Sequence, residues 1–92
     1  MTREMAETLA VRALAWLAES DDLFGVFLGS TGISAGEVRA RAADPEFLAS
    51  VLDFLAMDDA WVTAFCDAAG LPYDSVMQAR AALPGGQEVH WT

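Results

Sequence analysis

The chain contains no lysine, no asparagine and a single cysteine, Cys66. One thiol excludes an internal disulfide framework and a cysteine-built zinc site, both of which need further sulfurs. All five bases are arginines, set against fourteen acids for a net charge of −9. That balance, with no cluster of bases, lacks the positive footprint by which proteins hold nucleic acid, so no nucleic-acid partner is expected. Long apolar runs are missing as well. None approaches the roughly 18 residues that a membrane span needs, and no signal-peptide pattern is visible, so no membrane partner is expected. β-Branched residues are sparse and no segment alternates as a half-buried strand does.

What is present is apolar bulk. Apolar residues make up 54% of the 92 positions, and 18 of those positions are alanine. With a mean hydropathy of +0.30, disorder is not expected. The expectation is a small, acidic, soluble, cytoplasmic domain of one core.

Apolar spacing reads helix nearly throughout. Phe47, Leu48, Val51, Leu52, Phe54 and Leu55 form one amphipathic stripe, and Leu9, Ala10, Ala13, Leu14, Trp16 and Leu17 form another. Asp44 before Pro45 is an N-cap with proline at the first helical position. Ser34 and Glu37 have capping-box spacing, with Ile33 and Val38 at the staple positions. Gly32 and Gly70 stand where helices stop. These marks predict six helices near 3–19, 21–31, 34–43, 45–57, 59–69 and 73–83, an all-α bundle. Residues 1–86 are read as one helical domain and 87–92 as a tail.

An internal repeat at an offset of 38 adds architecture. Laying 9–43 over 47–81 gives eight identities in 35 positions, among them Leu17/Leu55, Phe27/Phe65, Gly32/Gly70 and Val38/Val76. Composition alone accounts for roughly three. Two three-helix units, 3–43 and 45–83, are therefore expected to pack face to face as a pseudo-symmetric domain, because neither buries a core alone.

Five segments carry a family resemblance. They are Ala15-Trp16-Leu17-Ala18 before an acidic turn, Arg41-Ala42-Ala43-Asp44-Pro45-Glu46-Phe47-Leu48, Val51-Leu52-Asp53-Phe54-Leu55, Ala68-Ala69-Gly70-Leu71-Pro72, and Arg80-Ala81-Ala82-Leu83-Pro84-Gly85-Gly86. In this order and spacing the chain resembles the small alphaproteobacterial proteins of the DUF3572 family, from about Glu7 to Gly86. The resemblance implies a bacterial cytoplasmic protein with no assigned activity, and no catalytic residues come with it.

The candidates for chemistry each have a structural counterpart. Cys66 lies on an apolar stripe beside Asp67, whose charge opposes thiolate formation, so it is read as core. His90 stands beside Trp91 in the tail, where pairing with a nucleophile requires the tail to dock. Asp21-Asp22 and Asp58-Asp59 are read as helix-start acids rather than a metal or acid–base pair. Gly25, Gly29, Gly32 and Gly36 lack the strand and lysine of a phosphate loop; Gly25 and Gly29 are expected to let another helix approach closely. They also weaken the second helix, which is expected to be the least stable. Arg39 and Arg41 are expected to pair with nearby acids.

No catalytic, cofactor or metal site is expected, and the chain is read as a non-enzyme. The favoured reading is a helical protein-interaction module, an adaptor or a homodimer, with an apolar groove between the two units and an acidic rim. Phe24, Phe27, Trp61 and Phe65 are its candidate lining residues, being large and at related positions of the second and fifth helices. The alternatives are a small-ligand binder with an inter-helix cavity and an acidic mimic of nucleic acid.

Overall fold

A computed structural model describes residues 1–84. It contains α1 (Arg3–Ala18), α2 (Asp21–Thr31), α3 (Ala35–Arg41), α4 (Pro45–Leu55), α5 (Asp59–Ala69) and α6 (Ser75–Ala81). No strand occurs among the described residues, and no helix there is long and apolar enough to cross a membrane.

Local chemistry starts and stops these helices. Side-chain oxygens of Thr2, Ser20, Asp44 and Asp58 accept from first-turn amides at 3.1, 3.3, 3.0 and 2.8 Å, satisfying donors that have no partner within the helix. Ser34 and Glu37 close a reciprocal capping box at 3.3 and 3.0 Å. α2 and α5 end on Gly32 and Gly70 at φ +73° and +70°, left-handed conformations that glycine adopts without a Cβ clash. Four helices, α1, α3, α4 and α6, are shorter than the spacing predicts, by one or two residues at an end. α4 ends at Leu55 because the Met57 and Asp58 amides tighten onto the Phe54 and Leu55 carbonyls three residues back, at 3.1 and 3.4 Å, and Asp58 must be extended to cap α5. α6 begins at Ser75, after a turn in which the Ser75 amide donates to the Pro72 carbonyl at 3.1 Å.

α4 is the central element. Phe47, Leu48, Ala49, Val51, Leu52, Phe54 and Leu55 are all buried, seven of its eleven residues. α1 packs along it, contributing Ala6, Leu9, Ala10, Ala13, Leu14 and Leu17. α6 lies across both, burying Ser75, Val76 and Ala79, and α5 adds Phe65 and Cys66. α2 is held through Phe27 and α3 through Val38, the one buried residue of each. The radius of gyration is 12.4 Å, against about 12 Å for a closed globule of this length. The six helices therefore form one closed globule instead of an open stack.

Repeat-related positions share much of their environment. Leu17 and Leu55, Phe27 and Phe65, and Val38 and Val76 are all buried. Trp16 meets Phe65 edge-on at 5.9 Å, and Phe54 meets Phe27 edge-on at 5.3 Å, which the offset maps onto one another with the units exchanged. The correspondence stops at the third helices. α6 packs across α1 and α4, whereas α3 has no comparably extensive packing on either.

Gly25 and Gly29 do not serve a close helix approach, contrary to their four-residue spacing. A Cβ built at either position meets nothing within 4 Å, so both face open space and only loosen α2. Gly25→Ala and Gly29→Ala are therefore expected to stabilise the fold by about 0.5–1 kcal/mol each. The check is a higher urea midpoint at unchanged slope; a lower midpoint would contradict the open placement.

Candidate functional site

The structure divides the four expected groove residues between the core and its cover. Phe27 and Phe65 are 0% and 1% exposed, so they are core and present no surface to a partner. The reason is economy of anchoring. α2 has one buried residue, and Phe27 fills that role against Phe47, at 6.1 Å, and Phe54. Phe24 and Trp61 are half-buried, stacked respectively on Phe27 at 6.2 Å and on Phe54 at 4.9 Å. They pack as a cover over core aromatics, and neither lines a described cavity.

The remaining candidates are mostly absorbed by the fold. Cys66 is fully buried, and burial, reinforced by Asp67 and Asp74, pushes its thiol up from the ordinary value, away from the thiolate that reactivity needs. Asp21, Asp22 and Asp59 occupy first helical turns and Asp58 is an N-cap. Arg39 and Arg41 make no ion pair among the described residues; they sit in the last turn of α3, where cations favour the carbonyl end of the helix. His90 and Trp91 lie outside the described residues.

Two arginines tie distant elements together. Arg80 Nε donates to Asp53 Oδ1 at 2.6 Å, and its Nη1 donates to the Pro84 carbonyl at 3.1 Å, joining α6 to α4. Arg12 Nη2 donates to the Ala69 carbonyl at 3.1 Å, bridging α1 to the end of α5. The Tyr73 hydroxyl donates to Asp67 at 2.7 Å. That bond, with the carboxylate's charge, raises the phenol above its ordinary pKa.

The larger of two cavities among the described residues lies along the first half of α1. It is a groove of about 920 Å³, open to solvent on one side. α1 contributes Glu4, Met5, Glu7, Thr8, Leu9, Val11 and Arg12, preceded by Met1, while Ala42, Ala43, Leu48, Leu71 and Ser75 complete the lining. Leu9 and Leu48 are buried, whereas Met5 and Val11 are 58% and 44% exposed. Glu7, also on the groove, is paired with Arg3 at 3.3 Å. A smaller cleft of about 310 Å³ lies by Ile33, Arg41 and Phe47. No group of three or more His, Cys, Asp or Glu residues able to hold a metal occurs among the described residues. The groove presents apolar contact with few polar groups, an arrangement that recognises shape and apolar surface rather than activating a nucleophile.

The family comparison agrees with the resemblance carried by the five segments. The model of the family described as "Protein of unknown function (DUF3572)" matches residues 3–86, and the chain belongs to that family. No curated protein and no solved structure matches it.

Two expectations follow from these placements. Phe27→Ala and Phe65→Ala should each cost about 3–5 kcal/mol in urea unfolding, and Phe24→Ala less than about half of that. Equal losses at all three would contradict the core assignment. Glu37 is held below its ordinary pKa by the Ser34 amide and hydroxyl, helped by Arg41. Its ionisation therefore stabilises the fold above the ordinary carboxylate range, and this is lost as pH falls through the folded-state value. The melting temperatures of wild type and Glu37→Gln should differ most near neutrality and converge on acidification; a gap that widens in acid would reverse the assignment.

Proposed function

We propose that this member of the DUF3572 family is a small helical protein-interaction module whose binding face is the open groove along α1. The observation that carries the reading is the exposure of Met5 and Val11 beside a lining that includes buried Leu9 and Leu48. Single apolar residues on a surface are ordinary; Met1, Met5 and Val11 exposed together in the lining of one groove mark a contact surface. An amphipathic helix suits such a groove, because its apolar side chains recur on one face and can enter an apolar trough together.

The groove replaces the site expected between Phe24, Phe27, Trp61 and Phe65, and the partner class is unchanged: another protein or a second copy. The reading is non-catalytic. Supporting it, the groups with shifted titration are engaged in a cap (Glu37), a loop contact (Tyr73) and the core (Cys66). A small-ligand binder is the second reading, favoured by a volume within the range of about 300–1,000 Å³ typical of ligand pockets. Openness counts against it, because such pockets usually enclose about 70–90% of the ligand.

Tagged purification from native lysate at low and high salt, with light scattering on the eluate, tests the proposal. Wild type should elute in a species larger than the 9.8 kDa protomer. Met5→Glu should elute as the protomer, with a melting temperature close to wild type because the side chain is exposed. An assembly of the same size in both would contradict the proposal. A protomer in both, with a melting temperature raised by small molecules, would favour the ligand reading.

A further inference from the structure

We propose that Met5 is a modification site: a hydroperoxide oxidises its thioether to the sulfoxide, and the change closes the α1 groove to apolar contact. The inference rests on reading the groove as a binding face and concerns how that face is regulated. Methionine ranks among the residues most often buried, yet the core of this chain contains none. All four methionines, Met1, Met5, Met57 and Met77, are exposed. Met1 and Met5 line the groove, while Met57 and Met77 lie outside its lining. A thioether supplies adaptable apolar contact, but unlike leucine or valine it carries lone pairs that an oxidant can attack.

Met5 is the better placed of the pair. It lies four residues before Leu9 on α1, and side chains four apart on a helix are neighbours. Leu9 and Leu48 are the buried part of the lining, so Met5 stands where the open rim meets the apolar floor. A sulfoxide there sets an acceptor oxygen beside that floor. An apolar side chain docking on it offers no donor, so contact strips the oxygen of water without compensation. The fold itself is spared, because an exposed sulfoxide keeps its water and no core contact is altered.

The chemistry needs only the oxidant. A sulfur lone pair attacks one oxygen of hydrogen peroxide, and the S–O bond forms as the O–O bond breaks. Sulfur loses two electrons, the peroxide gains them, and the departing hydroxide takes the remaining proton and leaves as water. Cys66, the other type of sulfur in the chain, is in the core and does not compete. An occupied groove covers Met5, so the free chain is the form that reacts, and its oxidation prevents assembly. Sulfoxide reductases reverse the change.

The uncharged dye Nile red, which brightens on apolar surface, is the probe, and peptide mass spectrometry identifies each oxidised methionine. Wild type should bind the dye, and oxidation of Met5 by hydrogen peroxide should weaken that binding about fivefold or more, with the melting temperature unchanged. Met5→Leu keeps the apolar contact without the thioether, and should hold the dye before and after the same treatment. The double variant Met57→Leu, Met77→Leu should respond as wild type does. Met1 is present throughout, so any effect of its own oxidation appears in Met5→Leu.

Loss of dye from oxidised Met5→Leu, or retention by wild type once Met5 is oxidised, would overturn the proposed regulation. The groove reading survives either result if Met5→Glu still releases the dye. A Met5 that resists peroxide while Met57 and Met77 react would also overturn the modification site alone. Dye binding indifferent to both Met5→Glu and Met5 oxidation, or absent from wild type, would overturn the modification and the groove reading together.

Discussion

The burial of α4 is the constraint on which the rest of the molecule depends. Its side chains from Phe47 to Leu55 are buried around much of the helix surface, so other elements must cover it. α1 covers one side with a stripe of small and medium residues and α6 lies across both helices. α2 reaches the assembly by inserting Phe27 between Phe47 and Phe54. In so short a chain the surface is large relative to the interior, and one largely buried helix uses most of the available cover. α1 is therefore left with a face that no other described element fully covers, and the groove lies there.

The helices were readable because their determinants are local. Asp44 with Pro45, Ser34 with Glu37, and the left-handed Gly32 and Gly70 act within a few residues of themselves, and the structure shows each in the role its spacing implies. The amphipathic stripes of α1 and α4 were equally plain. Helix ends were less so, because alanine at Ala42, Ala56 and Ala82 is compatible with either state and only the capping geometry decides.

The site was much less readable, for two physical reasons. A large aromatic on a stripe can anchor a core or line a groove, and Phe27 and Phe65 carry no mark of which. Their being the best anchors of weakly buried helices is what removed them from the surface. Met5 and Val11, by contrast, flank the buried stripe of α1, and their exposure depends on what fails to pack there. Arg12 was invisible because its partner carbonyl on Ala69 lies 57 residues away. Gly25 and Gly29 misled in a related way: small residues four apart resemble a helix-crossing face, yet no helix crosses there.

These features give the molecule a division of labour. α1, α4 and α6 form the shared core, and α2 and α3, with one buried residue each, contribute least to it. The proposed binding face lies on α1, one of the best-supported helices, so contact there need not order the scaffold first. Amide spectra recorded as Nile red is added, without any substitution, test this claim most directly. The account predicts shifts centred on the amides of Met5, Thr8, Val11 and Arg12, with α2 and the Trp61 region unchanged. Shifts centred on Phe24 and Trp61, or on Tyr73 and Met77, would contradict it.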